Sequence, residues 1–175
     1  MIGQIAEASP DVKVQFINLD LGSLKSVRTA AAEINSQVAK IDLLINNAAI
    51  MACPYAKTED GIESQFGTNH IGHFLLTKLL IDKVLAAGPG SRIVNVSSSA
   101  IRGTIRYDDY NFQVRQPDSP RSWMYRLLIM QDGAEYDPWL GYGQAKISNL
   151  VFSRALARKL KSRGIFSFSL HPGCK

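Results

Sequence analysis

The stretch RIVNVSSS, from Arg92 to Ser99, joins a β-branched apolar run to three consecutive serines. A short apolar run of this kind is typical of a strand buried in a parallel sheet. Ligands of open α/β sheets bind just beyond the carboxyl ends of the strands, where a serine can hydrogen-bond a substrate oxygen. The stretch therefore predicts a central strand and one wall of a binding site.

A second stretch, IDLLINNAA from Ile41 to Ala49, has the same form and ends in two amides and two small residues. Small side chains at a strand end let a flat ligand approach the backbone. Ser23 is a predicted helix N-cap, and the turn from Ala87 to Gly90 stops a helix. The predicted strands are Val12–Leu19, Ile41–Asn46, Arg92–Val96 and Ile165–Leu170, and the predicted helices are Ser23–Gln37, Asp60–Ala86 and Leu140–Lys161.

This alternation of strands and helices predicts an α/β fold, a doubly wound parallel sheet with helices on both faces. In the longest predicted helix, the apolar face is marked by Ile147, Leu150, Val151 and Leu156. The whole chain, residues 1–175, is expected to form one domain.

Tyr142 and Lys146 are spaced by four residues at the start of that helix, which places a phenol and an ammonium on one helix face. A neighbouring cation favours the phenolate form of a tyrosine. Such a tyrosine can exchange a proton with an alcohol or a carbonyl oxygen. The pair alone occurs by chance in many helices, so its meaning depends on the two strand-end motifs.

Taken together, the motifs resemble the short-chain dehydrogenase/reductase family. Within that family, Arg92 to Ser98 and the long insert before Tyr142 most resemble the branch of retinol dehydrogenases and of the chloroplast import translocon. The ordered set that carries the resemblance is Asp20-Leu21, Asn46 to Ala49, Asn69, Ile93 to Ser98, Tyr142-x-x-x-Lys146 and His171-Pro172-Gly173.

The resemblance implies hydride transfer between a nicotinamide cofactor and an alcohol/carbonyl pair. It makes Tyr142 the general acid/base, and Lys146 the residue that assists it and holds the nicotinamide ribose. Ser98 would bond the reacting oxygen, and Asn69 would sustain a proton relay through water. The residues implied for cofactor binding are Asp20, Asn46, Asn47, Ala48, Val96, Tyr142, Lys146, Pro172 and Gly173. NADP or NAD would serve, and relatives in this branch lean toward NADP.

The glycine-rich turn that holds the pyrophosphate in such folds is missing from the sequence. The resemblance therefore implies a Rossmann-like domain that lacks its first strand-turn-helix unit and is truncated at both ends. Isolated folding is then an open question, since exposed apolar faces and unpaired strand edges favour aggregation.

Residues 101–139 interrupt the alternation without a clean period. Loops this long are usually functional or disordered. In the resembling family this segment lies beside the substrate, so its aromatic and apolar residues are candidates for a substrate wall. An ordinary excursion pinned to the core by its aromatics is the alternative. The candidates are Tyr107, Phe112, Trp123, Met124 and Tyr125.

Composition narrows the class of protein. The net charge is +5, but the basic residues are scattered and have no stacking aromatics among them, which argues against nucleic-acid binding. Two cysteines and three dispersed histidines give no disulfide framework and no metal site. No apolar run approaches the ~20 residues of a membrane span, and no signal-like leader follows Met1. We expect an intracellular, cytoplasmic protein.

Three functions stay open at this point. The first is an oxidoreductase acting on a small, apolar alcohol or carbonyl, paired as a homodimer through its two long helices, as the family commonly is. The second is a non-catalytic remnant that acts as a binding or regulatory fragment, or a partial gene model. The third, nucleic-acid binding by the basic face of the last helix, has no recognition motif to support it.

Overall fold

The computed structural model describes residues 11–113 and 136–173. In that part of the chain, one three-stranded sheet is flanked by helices. In chain order the elements are α1 (Leu24–Gln37), β1 (Leu43–Asn46), α2 (Ser64–Phe66), a π-helix (Gly67–Ile71), α3 (Gly72–Ala87), β2 (Arg92–Val96), α4 (Pro138–Leu160), a 3₁₀ turn (Lys161–Arg163) and β3 (Phe166–Leu170).

The sheet is parallel, with the order β1-β2-β3. Leu44 lies opposite Ile93, which lies opposite Ser167 on the other side. Because all three strands run in the same direction, their carboxyl ends meet at one edge of the sheet. The predicted parallel α/β fold is confirmed, and this edge is where the candidate site lies.

Both crossover helices, α3 and α4, pack on one face of the sheet. Their shared core contains Val84, Ile93, Leu160 and Ile165, which are all buried. On the opposite face of the described sheet, apolar side chains are about half exposed: Leu43, Ile45, Phe166 and Phe168. Among the described residues, helices therefore cover only one face, as right-handed crossovers between consecutive neighbouring strands require.

The predicted strand Val12–Leu19 is wrong, because the described part of this segment is not a strand. A strand exists only where its backbone groups pair with a neighbour, and the three paired strands lie elsewhere in the chain. Val12 and Phe16 are 54% and 74% exposed. Leu19, at the end of the segment, packs with Leu21 against a core shared by α1 and α3.

Helix α4 buries only part of the apolar face predicted from its sequence. Leu156 packs against the core that contains Val84 and Ile93, and Ile147 is half-buried. Leu150 and Val151 are 45% and 46% exposed, whereas polar or small side chains occupy the buried face. Those buried side chains include Gln144, Lys146, Ser148, Asn149 and Ser153. Periodicity failed here because this face bonds to polar groups of the sheet instead of packing on apolar ones.

Helix ends follow the predicted signals. The side chain of Ser23 accepts from the backbone N–H of Ser26, which confirms the predicted N-cap of α1. Gly88 and Gly90 adopt positive φ after α3, as the predicted stop requires. The helix predicted from Asp60 begins at Ser64, because the Glu63 carboxylate accepts from the backbone N–H groups of Gln65 and Phe66.

A buried polar network ties the start of α4 to this cap. The hydroxyl of Tyr136 donates to Glu63 Oε1 at 2.8 Å and accepts from Gln65 Nε2 at 2.6 Å. Burial, reinforced by the charge of Glu63, raises the pKa of Tyr136, so its hydroxyl keeps the proton that it donates. Phe112 packs edge-on against the Tyr136 ring.

We expect Tyr136→Phe to lower the free energy of unfolding by about 1–3 kcal/mol, because the change removes one hydrogen bond each from the buried Glu63 carboxylate and the buried Gln65 amide. Urea unfolding followed by circular dichroism measures this. The matched control is Tyr107→Phe, which changes a side chain that is 77% exposed and should stay within about 0.5 kcal/mol of the parent. Equal stability of the two variants would contradict the role of the network.

Across residues 11–113 and 136–173, no helix combines the length and the apolar character that a bilayer crossing needs.

Candidate active site

Tyr142 and Lys146 lie in the first turns of α4 and point to the same place. The Lys146 ammonium is 5.6 Å from the centroid of the Tyr142 ring. Both residues are buried, at 6% and 2% exposure. The helix begins one turn earlier, where the Asp137 side chain accepts from the N–H of Trp139 and Pro138 occupies the first turn. The tertiary structure thus keeps the phenol and the ammonium adjacent, as their spacing predicts.

Lys146 also reaches the end of the central strand. Its Nζ donates to the carbonyl oxygen of Val96 at 2.9 Å. Burial lowers the pKa of Lys146, because an ammonium loses hydration in this position. The Val96 carbonyl offsets part of that cost, and the ammonium retains further N–H groups for another acceptor.

The three serines after β2 have three different environments. Ser97 is buried and donates to the Lys146 carbonyl oxygen at 2.7 Å, so its hydroxyl proton is committed to α4. Ser99 is exposed and lies 3.2 Å from Nε2 of His171. Ser98 accepts from the N–H of Ala100 at 3.0 Å and is half-buried, so its own O–H is available to a ligand. Of the three serines, Ser98 therefore has the hydroxyl that is best able to donate to a ligand.

Asn69 is fully buried in the middle of the π-helix. Its side chain is committed to Ile50, accepting from the Ile50 N–H at 2.9 Å and donating to the Ile50 carbonyl at 2.7 Å. The carbonyl oxygen of Asn69 accepts from Asn149 Nδ2 and from His73 Nδ1, each at 3.1 Å. π-Turns inside α-helices frequently occur at functional sites. Asn69 therefore holds the loop after β1 against α3 and α4.

Asn46, at the end of β1, is part of a buried polar row across the sheet. Its Nδ2 donates to Asn95 Oδ1 at 2.8 Å and to Thr77 Oγ1 at 2.9 Å. Asn95 in turn donates to Ser153 of α4 at 2.8 Å. The Oδ1 atom of Asn46 is buried and has no hydrogen-bond partner among the described residues. Asn95 belongs to a quoted motif that assigned it no role, and the motifs gave no signal for Thr77 or Ser153.

All but one of the other residues implied for cofactor binding lie at the carboxyl edge of the sheet. Asn47, Ala48, Pro172 and Gly173 are exposed at the shared carboxyl edge of the sheet, and Val96 lies buried at the same edge. Asp20 is also exposed, and its side chain accepts from the Gly22 N–H before α1.

Only residues 101–113 and 136–139 of the insert are described, and its candidate aromatic side chains there differ in their surroundings. Phe112 is buried at 3%, with the Arg106 guanidinium 4.5 Å from the centroid of its ring. That packing matches the interpretation of an excursion pinned to the core. Tyr107 instead lines a groove of about 330 Å³ between the insert, α3 and α4, whose lining does not include Tyr142. Trp123, Met124 and Tyr125 lie outside the described residues.

Two histidines lie beside the site, His73 buried and His70 half-buried. Burial lowers the pKa of both His70 and His73, in spite of the bonds that they make to Asn149 and to the Asn69 carbonyl. The unfolded chain then binds more protons than the folded chain below the ordinary histidine pKa of about 6.5. Their contribution to stability is therefore present at neutral pH and is lost as the pH falls.

We expect the urea midpoint of unfolding to decrease as the pH is lowered from about 7.5 to about 5.5. Replacing both His70 and His73 with Gln should flatten this dependence, whatever the variant's stability at neutral pH. A double variant with the slope of the parent would show that other groups cause the acid sensitivity.

The parallel sheet and the Tyr-x-x-x-Lys pair at its carboxyl edge define a Rossmann-like α/β domain. A family model described as short chain dehydrogenase matches residues 1–109, and the chain belongs to the short-chain dehydrogenase family. The resemblance predicted from the motifs is confirmed, including its retinol-dehydrogenase-like branch.

Curated relatives match nearly the whole chain. Retinol dehydrogenase 13 of Homo sapiens is 41% identical over 174 residues, covering 95% of this chain and 46% of that protein. Short-chain dehydrogenase TIC 32 A, chloroplastic, of Brassica napus is 40% identical over 175 residues, covering 97% of this chain and 50% of that protein. The chain thus spans about half the length of the curated relatives it matches.

Solved structures agree with this fold. An uncharacterized protein from Mycobacterium Paratuberculosis is 38% identical, with a TM-score of 0.73 over 98% of this chain and 55% of its own. A carbonyl reductase from chicken fatty liver, solved with NADPH bound, has a TM-score of 0.61 over 98% of this chain and 62% of its own. At 23% identity, that likeness concerns the fold alone.

Proposed function

We propose that this chain carries the proton-transfer half of an NAD(P)-dependent oxidoreductase that interconverts an alcohol and a carbonyl. The observation that carries the proposal is the Lys146 ammonium, which lies 5.6 Å from the Tyr142 ring and bonds the Val96 carbonyl at the end of the central strand. Family membership supports the reaction class. The names of the retinol dehydrogenase relatives favour an apolar alcohol or aldehyde as the substrate.

In the proposed reaction, Tyr142 donates its hydroxyl proton to the carbonyl oxygen during reduction and takes it back during oxidation. The described residues offer no acceptor to the Ser98 O–H. In the proposed reaction this O–H donates to the same substrate oxygen and orients it. Lys146 stabilises the phenolate that forms when Tyr142 has lost its proton. In the proposed relay Asn69 supports the water indirectly by holding the loop after β1 in place, since its side chain is committed to Ile50.

The residues present fit the nicotinamide half of the cofactor. Lys146 keeps donors for the ribose hydroxyls, and Asn47, Ala48, Pro172 and Gly173 leave the sheet edge open. Asn46 has an unpartnered buried oxygen below that edge. The cofactor supplies the hydride when it is bound. NADP is the form we propose, because relatives in the retinol-dehydrogenase-like branch lean toward NADP.

A non-catalytic binding fragment is the second candidate, and one observation favours it. The 175 residues contain no glycine-rich turn of the kind that holds a pyrophosphate in doubly wound domains. A chain that keeps the Tyr142–Lys146 pair without that turn would bind the cofactor weakly or not at all.

Titration of the purified chain with NADPH and NADH, followed by nicotinamide fluorescence, distinguishes the two candidates. We expect saturable binding that weakens in Lys146→Ala about tenfold or more, as loss of a charge-assisted bond worth about 1.5–3 kcal/mol implies. The control is Lys78→Ala, which removes an exposed lysine of α3 and should bind like the parent. A folded chain that binds neither cofactor would support the non-catalytic fragment.

A further inference from the structure

Asn149 lies in α4 three residues after Lys146 and is 2% exposed. Its side chain contacts three residues in two other elements. Nδ2 is 3.1 Å from the Asn69 carbonyl oxygen and 3.3 Å from the Val96 carbonyl oxygen, and Oδ1 is 2.9 Å from His70 Nδ1. One amide thus joins α4 to the π-helix and to the end of the central strand.

Donor and acceptor counting fixes how this amide is oriented. A backbone carbonyl can only accept, so the two N–H groups of Asn149 Nδ2 must face Asn69 and Val96. Oδ1 is then left to accept, which requires His70 to carry its proton on Nδ1. Burial lowers the pKa of His70, so the ring is neutral at physiological pH with a single proton on that nitrogen.

The same Val96 carbonyl oxygen also accepts from Lys146 Nζ at 2.9 Å. Asn149 Nδ2 and Lys146 Nζ therefore share one acceptor, which places a positively polarised amide N–H close to the ammonium. Any change in the Asn149 amide alters both the position of the Val96 carbonyl and the electrostatic environment of Lys146. The Asn69 carbonyl is held by the same side chain.

We propose that Asn149 is a positioning residue, set by His70, that holds the Lys146 ammonium and the Asn69 carbonyl in their places at the active site. This role rests on the proposed function, because Lys146 assists Tyr142 only if the chain catalyses that reaction. Asn149 itself does not touch substrate or cofactor. An apolar residue of the same size would fill the space, but it would remove one hydrogen bond from each of the two carbonyl oxygens and would leave the His70 N–H without the acceptor that Asn149 provides.

The test follows Lys146 directly, without cofactor or substrate. The full chain is labelled with ¹³C at the lysine ε-carbons, and the titration of Lys146 is measured by NMR in the parent, in Asn149→Leu and in Ser148→Ala. We expect the pKa of Lys146 to rise in Asn149→Leu, because the ammonium loses a competing N–H dipole. Ser148→Ala also removes a buried hydrogen bond of α4, to the Gln144 carbonyl at 2.8 Å, and should leave Lys146 unchanged.

A second pair of measurements tests the link to His70 and serves if Asn149→Leu does not fold. Long-range ¹H–¹⁵N spectra of the histidine rings should show His70 protonated on Nδ1. His70→Phe should move the Lys146 titration in the same direction as Asn149→Leu, and the double variant should move it no further than Asn149→Leu alone. The other titratable groups of the described elements that lie against Lys146 are Tyr142 and His73, and they are unchanged in all these variants.

Protonation of His70 on Nε2 would overturn the proposal, as would a Lys146 titration that is the same in the parent, His70→Phe and any folded Asn149→Leu. An equal shift in Ser148→Ala would overturn it too, because the effect would then be one of general stability. Failure of the proposed function is a separate result. It would appear as absence of NADPH binding, whereas the Lys146 titration reports on positioning in the free chain.

Discussion

Tyr142→Phe is expected to lower the turnover of a carbonyl or alcohol substrate by about 10²–10⁴-fold, the range that general acid/base catalysis contributes. The substitution removes only the hydroxyl, so the ring can keep its packing against Trp139 and its place near the Lys146 ammonium. No described residue bonds the Tyr142 hydroxyl, so its loss leaves no buried partner unsatisfied. The affinity for NADPH should therefore stay close to that of the parent.

Steady-state oxidation of NADPH with an apolar aldehyde measures this effect, and fluorescence titration measures the affinity. Tyr55→Phe is the matched control, since it removes a phenolic hydroxyl that bonds the Asn111 carbonyl at 3.1 Å and Tyr55 is not one of the proposed site residues. A Tyr142→Phe variant that retains more than about a tenth of the parent turnover would remove Tyr142 from the role of general acid/base.

Gly143→Ala should produce a large loss of stability. A glycine inside a helix is ordinarily improved by alanine, by about 1 kcal/mol. Here a Cβ would lie 2.3 Å from the carbonyl oxygen of Arg102 and 2.7 Å from its backbone nitrogen. Neither atom can rotate away, so the insert must move off α4. We expect the sign to reverse, with a loss of about 1–3 kcal/mol or more.

Chemical unfolding of Gly143→Ala and of Thr29→Ala gives the comparison. Thr29 is exposed in α1, so its replacement by the better helix former should change stability by less than about 0.5 kcal/mol. If Gly143→Ala were more stable than the parent, the backbone of Arg102 would not lie against α4 at Gly143.

Local sequence patterns were sufficient for the elements that depend on near neighbours. The strands at β1, β2 and β3, the Ser23 cap and the turn at Gly88 all follow from residues only a few positions apart. The four-residue spacing likewise placed Tyr142 and Lys146 together. These predictions succeed because strand alternation, capping and helical periodicity are set by short-range geometry.

The same patterns failed where the partner of a segment decides its structure. Val12–Leu19 has the composition of a strand, but a strand needs a neighbouring backbone that the described sheet does not provide at that place. The apolar residues of α4 suggested a buried face, yet the helix buries Lys146, Asn149 and Ser153 against polar groups of the sheet. Hydropathy could not show this, because it carries no information on which polar groups find partners.

By itself, the sequence determined a parallel α/β domain of the short-chain dehydrogenase family and the helix that carries its Tyr-Lys pair. Only the tertiary structure decided which serine keeps an available O–H, how Asn69 is held, and that Asn149 links Lys146 to His70. Those assignments depend on hydrogen bonds between residues dozens of positions apart, such as Lys146 to Val96. Donor and acceptor pairing at that range is fixed by how strands and helices pack, and no local pattern encodes it.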